Sequence, residues 1–315
     1  MSDEPFRAPT PGRVEWPTVF LIATWAGTVA VVVVLHRSMP WYVSVPSLAV
    51  LTGFQFSLQH EVIHGHPTPW RWLNVVPVGL PLALWCPFRE FRISHLRHHA
   101  SELTVPGVDP ESFYVTAETW DRSGPIGRGM LRLNRTLAGR LLIGPWIVVA
   151  TSLSRAAGAW RDREARSTWA LHVTLAVGTV WLVVGVAGLP AWEYVVGIVW
   201  GGTAFPLLRS FVEHRDTAGT GTPSAVVRSN ALFSLLFLNN NLHHTHHARP
   251  GSAWYALPRL HRELGSDELA RAGAGWYRGY GEIARRYLVR PFGEPVHPSE
   301  CGAGLMRTGF AARAR

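Results

Sequence analysis

Four apolar runs divide the chain: Trp16–Leu35, Trp41–Gln59, Trp169–Gly188 and Trp192–Phe211. Each is close to the roughly 20 residues that a helix needs to cross a bilayer core. Each opens on a tryptophan, a side chain favoured at the membrane–water boundary. Only His36–Pro40 separates the first pair, and only Leu189-Pro190-Ala191 the second. The pattern therefore predicts two tight transmembrane hairpins. Glu193, the one acid in the fourth run, lies near its start, where the headgroup zone can hold it. A soluble protein with long buried helices is the competing reading, but runs of this length with almost no charge are rare in soluble folds.

The remaining segments carry only shorter apolar stretches. Leu73–Phe88 is apolar but short, and Pro77, Pro81 and Pro87 suit it to an interfacial or re-entrant segment. Leu141–Ser152 is similarly short and fits the membrane surface. Ala231–Leu238 leads into Asn239, Asn240 and Asn241, and the tail from Pro258 is amphipathic and rich in arginine. The predicted architecture is an all-α integral membrane protein. It is one domain over residues 1–315, with four transmembrane helices and a cytoplasmic helical cap built from residues 60–168 and 212–315.

Charge sets the expected topology. All thirty basic residues are arginine, and Arg37 alone falls in the two tight turns. The positive-inside rule then places both termini and the long middle segment in the cytoplasm, with the protein multi-pass in the inner (plasma) membrane. The first run is too long, and its lead with three acids too poor an n-region, for a cleavable signal peptide. The net charge of +9 is explained by arginines facing anionic lipid, and no nucleic-acid-binding motif accompanies it. Cys86 and Cys301 make no disulfide framework and no metal-type spacing.

Chemistry enters with histidine. Ten of the fifteen histidines fall in three windows: His60, His64 and His66; His95, His98 and His99; His243, His244, His246 and His247. The second and third both read HxxHH. On a helix, positions i, i+3 and i+4 share a face, so each HxxHH is expected to aim three imidazoles at one point. Neutral imidazole is the commonest nitrogen ligand for zinc, iron, copper and nickel. This many rings exceeds what one tetrahedral zinc uses, which implies two metal ions. All three windows fall on the predicted cytoplasmic face.

Two other metal readings compete. His60-Glu61-x-x-His64 alone is the HExxH signature of a zinc protease, with Glu61 as general base, but that leaves the remaining clustered histidines unused. Zinc or copper transport would place ligands at the midplane of the spans, which here carry only His172.

The strings HEVIHGHP, HLRHH and NNNLHHTHH, with the two hairpins, resemble the histidine boxes of the integral-membrane fatty acid desaturase and hydroxylase superfamily, in its short bacterial form. The resemblance runs from Trp16 to about Leu264. It implies a non-haem di-iron site using two Fe2+ ions, with O2 as co-substrate. The ligands it implies are His60, His64, His95, His98, His99, His214, His243, His246 and His247. His214 belongs to no box and matches the extra histidine of such enzymes. Glu61, Asp109, Glu213, Asp216, Asn239, Asn240, Asn241, His66 and His244 are the expected supporting groups around the ligands. Desaturation of an acyl chain is the expected reaction. Hydroxylation or ketolation, or action on a terpenoid or a small amino-acid-like metabolite, is the alternative at the same site. No flavin, nicotinamide or cytochrome b5-like motif is present, so electrons are expected from a separate donor such as an acidic ferredoxin with its reductase, meeting Arg89, Arg92 and Arg97.

Overall fold

The first two apolar runs form helices α1 (Trp16–Leu35) and α2 (Trp41–Ile63), joined by a single 3-10 turn at His36–Ser38. The computed structural model describes residues 11–159 and 162–300; Arg7 and Cys301 lie outside the described residues. Helix α2 runs four residues beyond the apolar stretch, so the first histidine window begins inside a helix, and His64 caps it. The polar side chains that end α2 have backbone work to do. Gln55 donates to the carbonyls of Val78 and Leu80, and Gln59 to that of Val78. These are carbonyls at the end of helix α3 (Arg71–Val78), which have no intrahelical donor of their own. The segment expected to lie at the interface is thus a short helix followed by turns leading to α4 (Phe88–His99).

Short helices α5 (Ala117–Arg122), α6 (Pro125–Leu133) and α7 (Leu137–Leu142) precede α8 (Gly144–Ala159). The third run is helical from further upstream than its apolar pattern suggested. The Asp162 side chain caps α9 (Arg163–Val180) by accepting from the Ala165 amide, and a π-helical stretch, Trp181–Val186, continues it. The fourth run is composite: α10 (Ala191–Glu193), a π-helical stretch Tyr194–Gly201, and α11 (Gly202–Ser210). It lies tightly on α2. A Cβ at Gly53 would collide with the Phe205 ring, and one at Gly202 with Thr52, so both glycines are needed for the close approach.

Two helical stretches, Trp16–Ser38 and Arg163–Val186, are long and apolar enough to cross a membrane. Their outer faces stay bare: Phe20 is 65% exposed, Val34 68%, Val177 63% and Trp181 65%, a belt that water would not favour. The two tight turns touch. His36 Nε2 stands 3.1 Å from the Gly188 carbonyl, and the rings of Trp41 and Trp192 are 6.3 Å apart. Helix α2 runs from this end to the histidines at the other.

The remainder folds as α12 (Ala231–Leu236), α13 (His243–Ala248), α14 (Leu257–Glu263), α15 (Ser266–Ala272) and α16 (Tyr280–Tyr287). A strictly all-α reading needs one correction. Val226–Val227 (β1) pairs in parallel with Trp276–Tyr277 (β2), a two-residue ladder that fixes the tail beside the segment leading to α13. Val227 is also held from the other side, where its amide donates to the Asn241 carbonyl at 2.9 Å.

Candidate metal centre

Nine imidazoles converge in two groups. His60, His64, His95, His99 and His246 form one, and His98, His214, His243 and His247 the other; within each group the ligand-capable atoms lie within 4.8 Å of one another. In the first group, His64 Nε2 and His99 Nε2 each stand 3.1 Å from His95 Nε2, and His246 Nε2 is 3.0 Å from His99 Nε2. In the second, His214 Nε2 stands 3.1 Å from His98 Nε2 and 2.9 Å from His243 Nε2, and His247 Nε2 is 3.1 Å from His243 Nε2. Nitrogens bound to one first-row metal at about 2.0–2.1 Å stand roughly 3 Å apart at neighbouring corners. The observed separations have that spacing. Hydrogen bonding does not explain them, because each ring has one Nε2 and several neighbours aimed at it.

The expectation that each HxxHH aims three rings at one point is corrected. Box two sends His95 and His99 to the first group and His98 to the second. Box three sends His243 and His247 to the second group and His246 to the first. The reason is the helical period of about 100° per residue. Positions i and i+4 lie about 40° apart and share a centre, whereas i+3 and i+4 diverge by about 100° and straddle two. Helices α4 and α13 each serve both groups, and His99 and His247, one from each group, stack with ring centroids 4.3 Å apart.

The far nitrogens are anchored. His98 Nδ1 donates to Asp109 Oδ1 at 2.7 Å, His95 Nδ1 to Glu111 Oε1 at 3.1 Å, and His243 Nδ1 to Asn240 Oδ1 at 3.1 Å. Glu213 Oε1 stands 3.3 Å from His243 Nδ1 and 3.0 Å from Arg209 Nε. A proton held on Nδ1 leaves the Nε2 lone pair free for a metal. Asn240 also reaches the other group, its Nδ2 lying 3.3 Å from His60 Nε2, so one side chain touches both.

Burial keeps most of these rings neutral. Desolvation first, then neighbouring imidazoles, push His60, His64, His243, His246 and His247 well below the ordinary histidine range. The same causes bring His99 to about 2, and burial with His98 brings His214 to about 3. His98 is the exception: burial lowers it, but the charge of Glu111 and the Asp109 carboxylate outweigh that and raise it. Burial raises Glu213 to about 7, against the pull of Arg209. A divalent cation is the species that suits a buried set of bare imidazole lone pairs.

Several expected supporting groups face elsewhere. Asn239 Nδ2 donates to the Trp254 carbonyl and Asn241 Nδ2 to that of Val227. Asp216 accepts from the Ala218 amide in a loop, and His244 Nδ1 meets Ser266 Oγ at 2.9 Å. Glu61 accepts from the Trp254 amide and groups with Glu15 and His66, with His66 Nδ1 2.9 Å from Glu15 Oε2. That places Glu61 in a polar cluster of its own, where burial raises its carboxyl to about 7. A zinc-protease general base belongs instead beside a metal held by His60 and His64. Glu111 was not singled out from the sequence. Its signal is the acidic pair Asp109-Pro-Glu111, one short loop beyond box two.

A family model described as fatty acid desaturase matches residues 37–280, well over half of the chain. The helical fold and the paired histidine groups define a helical protein with two buried imidazole clusters, each able to hold a metal ion, and this match says of which family. The chain belongs to the fatty acid desaturase family. Comparison with curated proteins finds no match.

Proposed function

We propose that this chain is an O2-dependent, membrane-bound di-iron oxidoreductase that introduces a double bond into a fatty acyl chain. The observation that carries the proposal is the pair of all-imidazole groups, side by side, with nitrogens about 3 Å apart. His60, His64, His95, His99 and His246 would hold one iron, and His98, His214, His243 and His247 the other. Bound there, two irons would bind O2 and pass to it electrons drawn from the external donor, so that an unactivated C–H bond can be attacked. Asp109, Glu111 and Asn240 keep the Nδ1 protons in place, and burial of the rings keeps water from the reacting carbon. In this reading all four apolar helices span the inner membrane, the two touching turns face outward, and the histidines, the cap and both termini are cytoplasmic.

Protein purified in detergent from iron-replete cells is expected to carry about two iron ions per chain. Lipids from cells with and without it should differ by acyl chains two mass units lighter, read by mass spectrometry. A single zinc per chain with cleavage of a membrane protein, abolished in Glu61→Ala, would replace the proposal with the protease reading.

The electron donor follows from charge. Arg97 is exposed on α4 between the box-two histidines, whereas Arg89 is engaged by Glu164. With an acidic ferredoxin as donor, turnover should fall as salt rises from about 50 to 300 mM, since screening shortens the reach of the arginine face. Arg97→Glu should weaken donor coupling and leave metal content unchanged. Salt-independent turnover would assign the arginines to lipid alone.

A further inference from the structure

The loop that holds the box-two histidines is itself held by the tail, at a residue under backbone strain. Thr104 has φ of 76°, the left-handed region that a β-branched residue rarely enters. Three contacts keep it there. Its amide donates to Asp109 Oδ2 at 2.9 Å, its carbonyl accepts from Ser112 Oγ, and its Oγ1 meets His297 Nε2 at 3.0 Å. The proton in the last contact can be placed. His297 Nδ1 accepts from the Ser299 amide at 3.3 Å and lies 2.8 Å from the Ser299 hydroxyl, which can donate to it as well; with Nδ1 accepting, the ring proton is on Nε2 and is donated to Thr104. Thr104, Asp109 and His297 are 2%, 3% and 2% exposed, so water offers none of them a substitute partner. The tail is fastened on both sides of this contact: the Val115 amide donates to the Pro295 carbonyl, the His297 amide to the Val115 carbonyl, and the Ala117 amide to Glu300 Oε2.

We infer that His297 is a positioning residue for the metal centre: it locks Thr104 in its strained conformation, Thr104 fixes the Asp109 carboxylate, and Asp109 orients His98. His297 lies beyond the matched residues 37–280, whereas its partner Thr104 and the Asp109 carboxylate lie within them. Without it, Thr104 relaxes toward negative φ. The loop then cannot keep both the amide on Asp109 and the carbonyl on Ser112. The inference rests on the di-iron reading of His98.

The test is iron release from purified protein to a ferrous chelator, with thermal unfolding followed in parallel. His297→Ala should release one of the two irons about 10-fold faster, the low end of the roughly 10–100-fold range for a direct outer partner of a metal-bound histidine, because His297 acts through Thr104 and Asp109. His297→Gln, which keeps a donor, should recover most of the loss. Thr104→Gly should suppress it: glycine adopts positive φ without strain, so Thr104→Gly with His297→Ala should hold iron nearly as wild type does. A merely structural role for His297 predicts the opposite, with the double variant no better than the single. Thr104→Val removes the same hydrogen bond from its other end and serves if His297→Ala does not fold. Release at the wild-type rate from either variant overturns the inference. A wild-type protein that binds no iron, or a His98→Ala variant that keeps both ions, overturns the di-iron reading instead.

Discussion

His214→Ala is expected to lower turnover by roughly three orders of magnitude and to empty one of the two metal positions, while His172→Ala leaves both near wild type. The magnitude follows from the geometry. Loss of an outer partner of a ligand costs about 10–100-fold, and loss of the ligand itself costs more. His214 is central to the smaller group, 3.1 Å from His98 Nε2 and 2.9 Å from His243 Nε2, and only three imidazoles remain without it. The five-membered group keeps its whole set, so metal analysis should fall by one ion and not two. His172 is the matched control. It is also a buried histidine near the histidine-bearing end of the chain's apolar helices, but its Nε2 meets the Leu84 carbonyl at 3.0 Å and its ring packs edge-on to Trp169. It ties α9 to the turns before α4. Equal, mild effects from the two substitutions would remove His214 from the site and leave eight box histidines to hold the metals.

His214 was legible in the sequence only through family resemblance, since no spacing singles it out. The boxes were legible from spacing alone, because i, i+3 and i+4 positions on a helix must lie near one another whatever the rest of the chain does. Division of the second and third boxes between two groups was not. It depends on where a second helix stands, and α13 reaches its place only through long-range contacts, among them the His244 amide on the Ala225 carbonyl at 3.0 Å. Supporting groups were legible where they lie one loop away from their ligand, as with Asp109. They were not where the partner depends on which way a loop residue turns. Three consecutive asparagines look alike on paper, yet the positive φ at Asn239 turns its amide to Trp254, Asn241 faces the strand at Val227, and only Asn240 touches the histidines. The apolar helices show the same division. Their existence follows from composition, but the polar ending of α2 makes sense only once the open carbonyls of α3 are seen beside it.

Asp109→Asn is expected to weaken iron binding about 10–100-fold, and Glu111→Gln distinctly less. Both side chains accept from an Nδ1 of a box-two histidine, so the ranking comes from their surroundings. The Asp109 side chain is 1% exposed and accepts from His98, the Thr104 amide and the Glu111 amide, whereas the Glu111 side chain is 30% exposed and accepts from His95. An amide at position 109 keeps the shape but halves the acceptor capacity. Three donors then compete for one oxygen, and an NH2 turned toward His98 Nδ1 forces that ring's proton onto Nε2, where it blocks the metal. An amide at position 111 can turn its oxygen to His95 and its NH2 to solvent. Charge acts in the same direction at both positions. Asp109 and Glu111 each favour extra positive charge on His98, and a bound divalent cation beside them takes the place of that proton. Removing either carboxylate therefore lowers cation affinity, and the difference between the two variants measures what the buried hydrogen bonds add. Iron affinities read by competition with a ferrous chelator give both numbers. Equal losses would mean that charge alone sets the affinity and that the aim of the His98 ring does not depend on Asp109.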